Sequence, residues 1–155
     1  MSRSPKTRKQ KDQLLVIGKR LEEITSGQKQ SQITSQLGVC RVTLSRYITY
    51  GIDSIDTLER VSACLGVSYV ELLCDDVTKR QEYLPCACPS KHAGQELRRL
   101  REQQNITQEK FAEKLEISTR TLQRYEEQGI PNISCVINIA VKCELSIMQL
   151  LCDRV

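Results

Sequence analysis

The apolar positions of this chain fall into short helical periods separated by caps and breakers, most legibly in the C-terminal half. Leu97 and Leu100 share one face of a first helix, and Thr107 is placed to cap a second whose apolar residues are Phe111, Ala112 and Leu115. Ser118 caps a third with Leu122 and Tyr125 inward, Gly129 ends it, Pro131 and Asn132 open a fourth, and Ser146 caps a short fifth through Leu150 and Leu151. Helices of about eight to twelve residues do not hold alone in water. The pattern therefore predicts an all-α chain in which several helices share a core.

The same pattern occurs twice. Residues 37–75 align without a gap at an offset of 78 with residues 115–153, and 13 of the 39 positions are identical, among them Leu37, Thr43, Leu44, Arg46, Tyr47, Gly51 and Ile52. A further eight of the 26 remaining positions exchange apolar for apolar, which reads as duplication of a unit. Upstream, Leu21 and Ile24 correspond to Leu97 and Leu100, and Ile33 to Phe111, if the second copy has two extra residues in its first loop. The expected organisation is a basic tail over 1–11, a first domain over 12–75, a linker over 76–91 with two prolines, and a second domain over 92–155.

Composition and charge narrow the class. The chain has 155 residues, 39% of them hydrophobic and 27% charged, enough for one ordinary domain or two small ones and too few for a large enzyme scaffold. No apolar run approaches the roughly 18 residues of a membrane span, and no apolar block follows the basic start as in a secretory signal, so a cytoplasmic protein without a membrane partner is expected. The net charge of +4 is concentrated: Arg3, Lys6, Arg8, Lys9 and Lys11 give residues 1–11 a charge of +5, leaving −1 for the rest. Such a tail is expected to stay disordered until a polyanion attracts it, most simply nucleic acid phosphate. Eight cysteines without a secretion signal read as mostly buried thiols in a reduced compartment.

The run ITQEKFAEKLEISTRTLQRYEEQGIPNIS, residues 106–134, resembles the helix-turn-helix of the phage repressor and Cro family, also called the xenobiotic-response-element type. It shares the Thr107-Gln108 opening of the second helix, the small Ala112, and the Ser, x, x, Thr, Leu, x, Arg, Tyr, Glu run of the third. The resemblance implies two lambda-repressor-like five-helix DNA-binding domains joined by a linker. It also implies that the third helix enters the major groove of double-stranded DNA. Ser118, Thr119, Arg120, Gln123 and Arg124 would then face DNA, with Gln108 at a phosphate. Arginine can fork to guanine, glutamine can pair with adenine and threonine can meet a phosphate or a thymine methyl, so the residue types suit the role. In the first copy the matching positions are Cys40, Arg41, Val42, Ser45 and Arg46, with Gln30 beginning the second helix.

The first copy departs from the family pattern. Cys40 replaces the capping hydroxyl, Lys29 replaces threonine at the second helix, and Ile48 stands where the second copy has Glu126. In the family that acid pairs with an arginine of the first helix, for which Arg101 is the match; the first copy has Thr25 there. Both partners are lost together, which avoids an unpaired, partly buried charge. The first copy is thus expected to be folded and differently tuned, with a net charge of −2 over 12–75 against 0 over 92–155.

The remaining constellations point away from other chemistry. Cys86, Cys88 and His92 could offer metal ligands, but C-x-C is tighter than the common spacing and no second pair accompanies it, so an ordinary linker without metal or cofactor is the expectation. Cys64, Cys135 and Cys143 read as core, and Cys74 and Cys152 as packing residues at domain ends. His92 is the sole histidine, Ala93-Gly94 lacks the peptidase domain that would give that dipeptide meaning, and neither a phosphate loop nor a nucleophile elbow occurs. The expected function is a transcriptional regulator, a nucleoid-associated repressor of prokaryotic or phage type and not an enzyme, that reads DNA with two recognition helices. The alternative is that only the second domain binds DNA and the first is a dimerisation or partner-docking module; a homodimer stays open.

Overall fold

In the computed structural model, which describes residues 6–155, the chain enters its first helix at Arg8. Thr7 begins α1 (Arg8–Thr25) with a capping box: its hydroxyl accepts from the Gln10 N–H at 3.4 Å, and the Gln10 side chain accepts from the Thr7 N–H at 2.7 Å. Leu14, Ile17 and Leu21 follow at helical spacing and are fully buried. The expectation of a disordered tail through residue 11 therefore fails for residues 8–11, because the cap and a buried Gln10 fix them; its first five residues, Arg3 included, lie outside the described residues.

Four helices complete the first set: α2 (Gln30–Leu37), α3 (Arg41–Tyr50), α4 (Ile55–Leu65) and α5 (Tyr69–Leu73). A short α6 (Val77–Arg80) and a strand β1 (Tyr83–Pro85) precede the second set, α7 (Pro89–Gln103), α8 (Gln108–Leu115), α9 (Thr119–Gln128), α10 (Ile133–Lys142) and α11 (Ile147–Leu151), with β2 (Cys152–Arg154) last. Helices α2, α3 and α5 begin and end 78 residues before α8, α9 and α11. The chain is mostly helical, and no helix among the described residues is long and apolar enough to cross a membrane.

Glycines set the closest approaches. A Cβ on Gly18 would lie 2.2 Å from the Ile48 carbonyl oxygen, and one on Gly94 2.1 Å from that of Tyr125, so α1 packs on α3, and α7 on α9, backbone against backbone. Gly18 and Gly94 are 76 residues apart, whereas α1 and α7 end 78 apart. The two extra residues expected in the loop instead lengthen the C-terminal end of α7, and the loops before α2 and α8 are equally long.

The segment expected to be a linker is built into the fold. The Asp76 carboxylate accepts from the Thr78 and Lys79 N–H groups at the start of α6. Strand β1 pairs antiparallel with β2, Leu84 opposite Asp153, so the all-α expectation needs this small ribbon added. Helix α7 opens at Pro89, three residues before the expected boundary, with proline at its first position where a missing N–H costs nothing. The Tyr69 hydroxyl donates to the Leu151 carbonyl at 2.8 Å and accepts from the Cys86 N–H at 2.9 Å, tying α5, this segment and the end of α11 together. Burial raises the Tyr69 phenol far above its ordinary range.

The two helix sets meet around Ser54 and Asn132, which form an isolated antiparallel bridge. The Ile55 N–H donates to the Pro131 carbonyl at 3.0 Å, and the Ile133 N–H to the Asp53 carbonyl at 2.7 Å. Helix α1 packs on α10 and α7 on α4, and one buried apolar cluster runs through both sets. Further polar contacts close the seam: the Gln10 amide donates to the Ser134 carbonyl at 3.0 Å and to Asn138 Oδ1 at 2.9 Å, and the Asp53 carboxylate accepts from the Ser134 N–H and hydroxyl and pairs with Lys6 at 3.1 Å. Burial acts to raise the Asp53 carboxyl, but the Ser134 and Lys6 hydrogen bonds outweigh it and hold the group below the usual aspartate value.

Candidate nucleic-acid interface

Helices α8 and α9 form a helix-turn-helix for local reasons. The Thr107 hydroxyl accepts from the Lys110 N–H at 3.4 Å to start α8, and Glu116, in the left-handed conformation at φ +56°, ends it. Ser118 starts α9 by accepting from the Thr121 N–H at 3.0 Å. Phe111, Ala112 and Leu115 on α8 and Leu122 and Tyr125 on α9 are buried, as their spacing predicts. Burial pushes the Tyr125 phenol up to about 12, aided by Cys135.

The opposite face of α9 is polar and open. Arg120, Gln123, Arg124 and Glu127 recur at steps of three and four residues, so they share one exposed face; Ser118 is exposed beside them and Thr119 is half-buried. Arg120 and Arg124 have no carboxylate within ion-pair distance among the described residues, although Arg124 lies over the Tyr125 ring at 5.8 Å. The arginines of α7 contrast with them: Arg98 pairs with Glu102 at 2.9 Å, Arg99 with Glu96 at 2.6 Å and Arg101 with Glu126 at 2.8 Å.

A polar brace joins this face to the core. Arg101 donates to both oxygens of Glu126, at 2.8 and 3.1 Å, and this pairing raises the guanidinium further above its already high range. Gln108 donates to Glu126 at 2.8 Å and accepts from Gln123 at 3.3 Å. The Arg101 and Glu126 pairing is the one that the family resemblance implies, but the chain of contacts outward to Gln123 is not part of it. Gln108, expected at a phosphate, is half-buried and holds the Gln123 amide at the surface.

The first set offers the same layout with different chemistry. Gln30 is exposed at the first residue of α2, and Arg41, Val42, Ser45 and Arg46 are exposed along α3, with Val42 66% exposed. Arg41 and Arg46 have no ion-pair partner among the described residues. Lys29 gives α2 no side-chain cap, and Cys40 stands at the start of α3 with its thiol 3.2 Å from the Thr43 hydroxyl. That contact holds the exposed Cys40 thiol below the ordinary thiol range. Where the second set has its ion pair, Thr25 is buried, donating to the Leu21 carbonyl at 2.7 Å, and Ile48 packs against the core.

Among the described residues no three or more His, Cys, Asp or Glu side chains gather as a metal site. His92 lies 3.0 Å from the Leu150 carbonyl of α11 and 3.2 Å from Asp153 of β2.

Residues 97–150, from α7 to α11, match the family model named helix-turn-helix. The match points to a DNA-binding transcription regulator, a class generally without enzymatic activity, and does not by itself speak for a tandem duplication. No curated protein and no solved structure matches the chain.

Proposed function

We propose that the chain is a sequence-specific DNA-binding transcriptional regulator, a repressor of cytoplasmic, nucleoid-associated type, built from two tandem five-helix domains of the phage repressor and Cro kind. The observation that carries this reading is the open face of α9, where Arg120 and Arg124 lack carboxylate partners among the described residues while every arginine of the neighbouring α7 has one. Uncompensated cations on the exposed face of a helix-turn-helix are what phosphates and guanine edges require. In this reading Ser118 and Thr119 hold phosphates at the helix start, Arg120, Gln123 and Arg124 read bases, and Gln108 orients Gln123. In the first domain Gln30, Arg41, Val42, Ser45 and Arg46 do the corresponding work, Val42 as an apolar contact for a thymine methyl. Repression follows from occupancy of the operator.

Selection of random duplexes on the intact protein, followed by Arg120→Ala, tests the proposal. The variant should lose about 1–3 kcal/mol on the selected site, relax preference at one base pair, and lose less on random DNA. Equal losses on both would reject base reading by Arg120. A second reading draws on the absence of the Arg101 and Glu126 brace from the first set and on the exposed Val42 and Tyr50 of α3: that domain would serve as a dimerisation or docking module, with DNA read by α9 alone. Arg41→Ala leaving DNA preference unchanged would favour it.

A further inference from the structure

We infer that the two helix sets form a covalently linked, twofold-like pair, so that one chain reads an inverted, imperfect repeat in duplex DNA, with α9 on one half-site and α3 on the other. The inference rests on the DNA-binding reading above and adds the orientation and stoichiometry of the site.

The contacts at the seam are reciprocal. Residues 53, 54 and 55 stand 78 positions before 131, 132 and 133, and Ser54 bridges its own counterpart Asn132. On one side of that bridge the Ile55 N–H donates to the Pro131 carbonyl; on the other the Ile133 N–H donates to the Asp53 carbonyl. Exchanging each residue for its counterpart turns the first bond into the second. The helices obey the same exchange, α1 on α10 and α7 on α4. A contact in which the same patch meets itself is the mark of a twofold relation, whereas two units translated along DNA would join unlike patches.

Duplex DNA presents inverted half-sites to readers related by a twofold, which is why operator symmetry mirrors protein symmetry. Helices α3 and α9 end at Tyr50 and Gln128, each four residues before the bridge. At roughly 3.5 Å per residue and about 5 Å across the bridge, their ends lie no more than about 33 Å apart. The helix centres can thus meet two major-groove faces one turn, about 34 Å, apart without a second chain.

Contacts that the exchange does not reproduce lock the pair. Gln10 reaches Ser134 and Asn138, Asp53 holds Ser134, and Tyr69 ties Cys86 to Leu151. The readers differ as well. Arg120 has Val42 as counterpart, Gln123 has Ser45 and Thr119 has Arg41, while Arg124 and Arg46 are alike. The half-sites should agree where Arg46 and Arg124 bind and diverge where the others do.

The test uses the intact chain, a selected duplex, and the same duplex with one half-site reversed at unchanged spacing, with stoichiometry read by native mass spectrometry. The expected result is one chain per duplex, at least a tenfold loss on reversing a half-site, and Arg41→Ala and Arg120→Ala each relaxing preference in a different half. Equal binding of both orientations overturns the inference. So do two chains on an inverted repeat with Arg120→Ala relaxing both halves, or selection of a single half-site read by α9; both leave DNA reading by α9 intact. Failure to enrich any duplex overturns the inference and the DNA-binding reading together.

Discussion

Arg101 and Glu126 are joined by two hydrogen bonds of 2.8 and 3.1 Å, and the Glu126 side chain is only 4% exposed. The corresponding positions of the first helix set hold Thr25 and Ile48, a self-satisfied hydroxyl and an apolar side chain. One set solves the contact between its first and third helices with a charge pair and the other without any charge. Removing one partner of a buried pair costs more than replacing both.

Glu126→Ala should therefore destabilise the protein by about 3–5 kcal/mol, since it strands Arg101 and frees Gln108. The double change Arg101→Thr with Glu126→Ile, which copies the first set, should recover most of that loss. Urea denaturation of the three proteins gives the comparison, and a double variant no more stable than the single one would contradict the account.

Gly94→Ala places a methyl 2.1 Å from the Tyr125 carbonyl oxygen, with backbone on both sides and no flexible side chain to yield. Overpacking of this kind costs about 1–3 kcal/mol. The expected outcome is a lower melting temperature together with weaker DNA binding, because α9 is pushed away from α7. Gly18→Ala should act likewise between α1 and α3.

The Asp53 carboxyl is held below its ordinary value near 3.8, so its contribution to the seam is complete above that pH and is lost as pH falls through the lower, folded value. Asp53→Asn should cost about 1–3 kcal/mol at neutral pH. The gap between variant and parent should close in strong acid. Urea midpoints measured from pH 2 to 7 check this, and a gap independent of pH would remove Asp53 as its source.

Arg8, Lys9 and Lys11 are exposed on the first turn of α1. Changing all three to glutamine should lower the slope of log affinity against log salt by about 0.9 for each phosphate contact they make. Substitution is preferable to deletion of residues 1–11, which would also remove the Thr7 cap and the Gln10 contacts to α10. An unchanged slope would assign the phosphate contacts elsewhere.

Local chemistry alone determined a good deal of this protein. The caps at Thr107, Ser118 and Ser146, the break at Gly129, and the inward face built on Leu122 and Tyr125 depend on neighbours within a few residues, so they could be read directly. The pairing of Arg101 with Glu126 was legible because a family pattern supplied the long-range relation. Three things were decided by the tertiary structure. The segment 76–91 looks like a linker because its prolines break regular pattern, yet β1 finds its partner in β2 about 70 residues away, and nothing near either strand announces the other. The basic start reads as a tail by charge, but a capping box and one glutamine amide aimed at α10 make residues 8–11 a helix. The meeting of Ser54 with Asn132 uses backbone groups, which carry no residue-specific signature, so the recurrence of a pattern could be counted in the sequence while the contact between the two helix sets waited for the fold.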